Sequence, residues 1–284
     1  MEPPRSSVRK PSDSLGEAIR SRWAVRPVVT APQGVLILAA RASRRLAEEL
    51  AALRASGVVA DVVSRLPPID DALKFVYGFD IPGFDVDIRP IQLPGEIESL
   101  LDLAKSLEPR TVLEIGTARG GTLFLLATVA SDDALLVSVD LPFGRFGGGY
   151  AKPRRRLYRA FARRGQQVKL LQADSHERDT REAVRRMLEH RAVDLLLIDG
   201  DHTYEGVQLD VRDYAPLVRD GGLIVFHDIA PGDENDVGGV PRFWQELKGR
   251  IDVDEIVEDW SQGGFGIGVV TAMPVVQRSL SGLS

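Results

Sequence analysis

The sequence predicts an α/β fold built on a parallel sheet that is covered on both faces. Three observations predict it. From Leu93 onward, short apolar runs alternate five times with amphipathic stretches of helical period. The runs are continuously apolar rather than alternating with polar residues, as in strands buried on both sides. Each run also ends at or near an acid: Glu114, Asp140, Asp174, Asp199 and Asp228. Right-handed crossovers bring those ends to one edge of the sheet, where ligands of such folds bind. Taken singly, an acid after a strand is as readily a helix N-cap as a ligand group. Five on one rim point to a site.

The elements follow in order. "MEPPRSSVRKPSDS" is rich in Pro, Ser and charge and lacks an apolar signal core, so residues 1–15 are expected to be a disordered leader. Residues 16–90 form an extension, a cap or an oligomer contact. Within it, 34–56 suit a helix with Leu46, Leu50 and Leu53 on one face and Gly57 past its end. The stretch 70–92 is rich in Pro, Gly and aromatics and is expected to be irregular. The domain proper covers 91–284. It opens with the helix "GEIESLLDLAKSL" and the strand "TVLEIG". A helix over 120–130 and the strand "LLVSVD" follow, then a helix over 153–164 and the strand "VKLLQAD". Next come a helix over 177–190, the strand "VDLLLID", a helix over 204–218 and the strand "GLIVFHD". "VPRFWQELKG" starts a helix with Pro241 in its first turn. Two strands close the chain, near 253–259 and 264–271. The expected architecture is thus a Rossmann-like sheet with helices on both faces, plus an N-terminal helical extension.

Composition excludes several classes. With no cysteine, disulfides, thiolate nucleophiles and cysteine-based zinc sites are ruled out. A net charge of −5 argues against a nucleic-acid partner, which requires a basic surface. No apolar run approaches the roughly 20 residues of a membrane span. A cytoplasmic location and a small-molecule partner are expected, with a homo-oligomer as an option through the extension.

The turn "EIGTARGG" sets Gly116, Gly120 and Gly121 between a strand and a helix start. Glycines there let a backbone approach a ligand, and a helix N-terminus offers free N–H groups. The spacing is not the G-x-G-x-x-G of dinucleotide enzymes. Asp140, ending the next strand, can accept from both hydroxyls of a ribose.

"VLEIGTARGG", "VSVD", "ADS", "LLLIDGDHTYEGV", "GGLIVFHD" and "GFGIGVV" together resemble the class I S-adenosylmethionine-dependent methyltransferases. The resemblance is to the branch of macrolide sugar O-methyltransferases and cephalosporin-hydroxylase-like proteins, and it covers roughly residues 90–272. It implies a seven-stranded, mostly parallel sheet with a reversed last strand. It implies that Glu114, Gly116, Thr117 and Gly120 line the methionine side of the cofactor, that Asp140 holds the ribose, and that Asp174 and Ser175 border the adenine. It further implies a metal-assisted methyl transfer to a hydroxyl of a sugar or other small polar metabolite, as in natural product biosynthesis. In that branch the fourth strand ends in a metal-binding carboxylate, here Asp199, and a histidine three residues on, here His202, serves as base. Two acids complete the metal site; this chain has His227 and Asp228 there. Imidazole for carboxylate disfavours magnesium and suits manganese, iron or zinc; the same departure is compatible with no metal at all.

Other readings stand beside these. His202 can be an N-cap of the helix near Tyr204, and His227 a satisfied core histidine. His176 and His190 are expected on surface helices. Arg155, Arg159 and Arg163 form a stripe that suits a solvated face or an anionic substrate. The loop 142–150, "PFGRFGGGY", follows Asp140 and can close over a substrate or simply connect. A cofactor-binding partner without transferase activity and an NAD-dependent oxidoreductase are the alternative functions.

Overall fold

The computed structural model describes residues 33–65, 67–144, 146 and 148–274. The expected leader lies outside them. By its contacts the chain divides into Met1–Arg44 and Arg45–Ser284; side-chain packing below concerns the second unit.

The helices, in chain order, are α1 (Gln33–Ser64), α2 (Ile69–Tyr77), α3 (Pro94–Leu107), α4 (Gly121–Val129), α5 (Arg154–Arg159), α6 (Arg178–Met187), α7 (Tyr204–Tyr214) and α8 (Val240–Lys248). The strands are β1 (Thr111–Ile115), β2 (Leu135–Asp140), β3 (Gln167–Gln172), β4 (Val193–Ile198), β5 (Val218–His227), β6 (Asp254–Ile256) and β7 (Ile267–Thr271). They form one sheet in the order β3-β2-β1-β4-β5-β7-β6. All pairs from β3 to β5 are parallel, and β7 runs antiparallel to both β5 and β6. The sheet is the seven-stranded, Rossmann-like one that the sequence predicts, with its last strand reversed.

The sheet separates two cores. Val112, Leu136, Leu195, Leu197 and Val225 face α2, α3 and α4 with Ala72, Leu101 and Phe124. Leu113, Val137, Leu196, Ile198 and Phe226 face Val211, Phe243 and Trp244 of α7 and α8. This division between two buried faces is why the strands are mostly apolar, and the polar exceptions Glu114 and Ser138 bond to each other.

Three expectations for local structure are corrected. The first helix does not stop at Gly57 but continues to Ser64. Gly57 does not take the left-handed φ with which glycine ends a helix, so the helix runs through it. The buried face of α1 carries Ala51, Ala52, Ala55, Val59 and Val63, while Leu46, Leu50 and Leu53 are exposed. The stretch 70–92 is not wholly irregular: Ile69–Tyr77 is a helix that buries Ala72, Leu73 and Val76. The helix expected over 153–164 is only Arg154–Arg159.

Among the described residues no helix is long and apolar enough to cross a membrane.

The far side of the sheet depends on Gly268 of β7. A Cβ there would lie 2.4 Å from the buried Trp244 ring, whose indole N–H donates to Glu255 at 2.6 Å. Overpacking of this kind costs about 1–3 kcal/mol. Gly268→Ala should therefore lower the thermal midpoint by several degrees in calorimetry; an unchanged midpoint would show that Trp244 can move aside.

Candidate active site

The glycine turn after β1 is shaped by the protein's own packing. Gly116 has φ 100° and Gly120 φ 84°. A Cβ on Gly116 would lie 1.9 Å from the Asp199 carbonyl oxygen, and one on Gly120 would lie 2.8 Å from the Tyr158 ring. A Cβ on Gly121 would meet the Ile88 carbonyl at 2.3 Å. Glycine is required at these positions even before a ligand arrives. Between them Ala118 is held at φ 43°. Its N–H donates to Asp140 Oδ2 at 2.8 Å, and its carbonyl accepts from the Tyr158 hydroxyl at 2.9 Å.

Glu114 is fully buried at the end of β1. Its Oε2 accepts from the Ser138 hydroxyl, which leaves Thr117 to donate to Ser138. Its Oε1 is buried and, among the described residues, has no hydrogen-bond partner. Burial pushes its carboxyl up to about 8, against the Ser138 hydrogen bond and helped by the charges of Asp199 and Asp140. An unpartnered buried carboxylate oxygen suits a cationic ligand group such as an ammonium.

Asp140 is buried at the end of β2. Its Oδ1 accepts from Gly149 N–H at 2.9 Å and its Oδ2 from Ala118 N–H. Each oxygen keeps a second lone pair, the acceptor capacity that a pair of ribose hydroxyls needs. Burial raises its carboxyl to about 6 in spite of these backbone donors. After β3, Asp174 Oδ1 accepts from His176 N–H at 2.9 Å, and the Ser175 carbonyl accepts from the Tyr214 hydroxyl at 2.6 Å. His176 is not a surface residue as expected. Its ring is 21% exposed and lies 3.3 Å from Oδ1 of the fully buried Asp210.

The loops after β4 and β5 bring Asp199, His202, His227 and Asp228 together. His227 Nδ1 is 3.1 Å from Asp199 Oδ1 and 3.3 Å from Asp228 Oδ2. Carboxylates only accept, so this nitrogen carries a proton shared between them. His227 Nε2 is buried and has no partner among the described residues. His202 Nδ1 lies 2.6 Å from the Asp236 carbonyl, which also only accepts, so Nδ1 is protonated. That leaves Nε2, 3.4 Å from Asp199 Oδ1, as the ring's available nitrogen. Donor atoms of Asp199, His202 and Asp228 all lie within 4.8 Å of one another, a set able to hold a metal ion. The geometry thus gathers His202 into the ligand-type group, where the sequence put His227. Two carboxylates with one imidazole fit a borderline ion such as manganese, iron or zinc.

His202 does not cap the following helix. Thr203 does, its hydroxyl accepting from Gly206 N–H at 2.9 Å. Nor does the ring titrate near neutrality, as a free histidine would. Burial opposes its charge, but the hydrogen bond and charge of Asp199, with Asp228, raise it to about 9. Burial opposes the charge of His227 too, and the same two carboxylates raise it well above the ordinary value. Asp199 resists burial through the two histidines and is held well below the usual carboxylate range.

Three supporting features were not legible in the sequence. Gln92 donates to Asp199 Oδ2 at 3.0 Å. Glu96, fully buried, accepts from Gln262 Nε2 at 2.8 Å and Gly266 N–H at 2.9 Å. The loop so fixed gives Phe265 N–H to Asp228 Oδ1 at 3.1 Å. In the 142–150 loop, Phe146 stacks on the His202 ring with centroids 4.8 Å apart. Its only sequence signal was its place after Asp140. Of the arginine stripe, Arg155 and Arg163 donate to the Leu170 and Ala130 carbonyls and so staple the fold.

Residues 113–229 match the sequence model of a methyltransferase domain family. Among solved structures the chain is similar to the O-methyltransferase TomG from Streptomyces achromogenes, involved in tomaymycin synthesis and solved with SAM (24% identity, 72% of this chain and 89% of that one, TM-score 0.45). It is similar to the O-methyltransferase from Bacillus cereus in complex with SAH (19% identity, 76% and 97%, TM-score 0.48). It is also similar to cofactor-bound Rv0187 from MTB (19% identity, 93% and 98%, TM-score 0.46). No protein of curated function matches the sequence significantly. The domain match over residues 113–229 and the sheet with its reversed β7 agree with the methyltransferase fold that the sequence resembles.

Glu114 makes a testable contribution to stability. Its free value is 4.5 and its folded value about 8. Between the two, the folded chain holds a proton that the unfolded chain has released, so stability falls as pH rises through that window. Glu114→Gln removes this dependence and should gain on the wild type as pH rises from about 5 to 8. Thermal midpoints of the two ligand-free proteins that run parallel across that range would refute the assignment.

Proposed function

We propose that this chain is an O-methyltransferase that moves a methyl group from S-adenosylmethionine to a hydroxyl of a sugar or other small polar metabolite, assisted by a divalent ion and a histidine base. The observation that carries the reading is the convergence of Asp199, His202 and Asp228 on the ligand rim, beside the carboxylates of Glu114 and Asp140. Glu114 Oε1 would take the cofactor's ammonium, and Asp140 the ribose hydroxyls. Asp174 and Ser175 would border the adenine. When bound, the cofactor supplies a methyl already made electrophilic by its sulfonium. The protein must then align an oxygen with it and remove that oxygen's proton.

Asp199 and Asp228 would hold the ion, which lowers the pKa of a bound hydroxyl. His227 is assigned to bracing both carboxylates through its Nδ1–H, the kind of outer support that orients ligands. His202 takes the hydroxyl proton on Nε2. While the two carboxylates are unneutralised, that nitrogen keeps its own proton up to about pH 9. With an ion held by Asp199 and Asp228, the field that keeps the ring protonated would be offset, and His202 would be available as a base nearer neutrality. A second reading makes His202 the third ligand, favoured by its nitrogen lying within 4.8 Å of both carboxylates.

Three measurements test this. Asp140→Ala should weaken binding of the demethylated cofactor, S-adenosylhomocysteine, by about 10–100-fold in calorimetry, the loss of charge-assisted hydrogen bonds worth 1.5–3 kcal/mol; unchanged affinity sinks the cofactor assignment. Titration of chelator-treated protein with Mn²⁺ should show saturable binding that Asp199→Asn or Asp228→Asn abolishes. With an acceptor found by screening hydroxylated sugars and glycosides, His202→Ala should slow turnover by about 10²–10⁴-fold. If it leaves Mn²⁺ affinity intact, His202 is the base; if Mn²⁺ affinity falls as well, the third-ligand reading holds.

A further inference from the structure

We propose that Gln92 is the positioning residue of Asp199: its side-chain amide, carried by the segment before α3, sets the rotation of that carboxylate. The inference rests on the reading of Asp199 as an ion-binding carboxylate of the reacting centre. Asp199 divides its oxygens. Oδ1 faces His227 Nδ1 at 3.1 Å and His202 Nε2 at 3.4 Å. Oδ2 accepts from Gln92 Nε2 at 3.0 Å. A carboxylate cannot donate, so Gln92 must turn its amide nitrogen this way, and its Oε1 then accepts from the Thr122 hydroxyl at 2.7 Å. The Gln92 carbonyl accepts from the Tyr77 hydroxyl, also at 2.7 Å. Gln92 is 4% exposed, and three of its polar atoms are engaged.

The anchor at the other end of this arm is equally firm. Thr122 is the second residue of α4, directly after the glycine turn. The backbone leading to Gln92 is pressed onto the same helix start, for a Cβ on Gly121 would meet the Ile88 carbonyl at 2.3 Å and Pro90 N at 2.4 Å. Gln92 therefore measures Asp199 against the turn expected to cradle the cofactor. It does so from outside residues 113–229, the segment matched to the methyltransferase domain. A freely rotating carboxylate would present either oxygen to an ion; the amide commits Oδ1 to the histidine side. Supports of this kind change metal affinity by roughly 10–100-fold when removed.

The test compares wild type, Gln92→Leu and Thr122→Val. Gln92→Leu keeps the bulk and loses the donor; Thr122→Val keeps the shape and loses the hydroxyl that holds the amide. Mn²⁺ and S-adenosylhomocysteine affinities are measured on each by calorimetry, with thermal midpoints as a control for folding. Gln92→Leu should bind Mn²⁺ about 10–100-fold more weakly while keeping its affinity for S-adenosylhomocysteine, and Thr122→Val should show a smaller loss in the same direction. A purely structural glutamine would move the midpoint and leave the Mn²⁺ affinity of the folded protein alone, and that result overturns the proposal. If Gln92→Leu does not fold, Thr122→Val decides by the same comparison. If the wild type binds no Mn²⁺, the ion-binding reading fails, and a crystal structure of the folded variant decides the positioning role. A rotated Asp199 carboxylate supports it and an unmoved one overturns it.

Discussion

The candidate site depends on one constraint: two carboxylates, Asp199 and Asp228, with side chains only 15% and 10% exposed, must be compensated from within the protein. Removing a carboxylate from water is costly unless donors or cations replace the lost hydration. Asp199 receives two imidazoles on one oxygen and an amide on the other. Asp228 receives both imidazoles and the Phe265 N–H. The compensation is mutual, since the same carboxylates hold both rings charged. Charge is thus balanced locally within the site. Any cation drawn to the carboxylates competes with the protons on the histidines, which makes ion binding and proton release linked events.

The glycine turn shows a second dependence. Gly116 and Gly120, at positive φ, lie against Asp199 and Tyr158, and Gly121 lies against the segment 88–90. The turn that the sequence marks as a ligand cradle is also the point where β1, α5, the loop after β4 and the segment 88–90 meet. Cofactor geometry and metal-side geometry are therefore set by the same few backbone positions. A substitution at Gly116 would displace the Asp199 carbonyl before it touched any ligand.

How much of this was legible in the sequence follows from the range of each interaction. Strands β1 to β5 were readable because burial on both faces leaves mostly apolar runs, whereas their order in the sheet was not read from the sequence. Asp199, His202, His227 and Asp228 were readable as a group because strand ends share an edge. Their division of labour was not, because it turns on which nitrogen faces which oxygen. Gln92 and Glu96 gave no signal: a glutamine in an irregular segment and a glutamate in a charged helix look like surface residues until the fold buries them. His176 was misread for the same reason, its partner Asp210 lying 34 residues away on another helix. In α1 the buried face carries alanine and valine while Leu46, Leu50 and Leu53 are exposed, so its leucine pattern did not mark the buried face.

The insertion of β7 between β5 and β6 has a consequence for the order in which the molecule can be assembled. Asp228 waits for a donor 37 residues further along the chain, and Glu96 for one 170 residues further along. The parallel strands β1 to β5 can pair as they emerge during synthesis, but the rim stays incomplete until the last antiparallel strand docks. Until then Glu96 is an uncompensated acid at the start of α3, and burying it is unfavourable. The penalty disappears when the Gly266 N–H and the Gln262 amide arrive. A chain ending short of residue 265 lacks the N–H groups that Asp228 and Glu96 accept from Phe265 and Gly266, while the contacts of Asp199 with Gln92, His202 and His227 need no residue beyond 227.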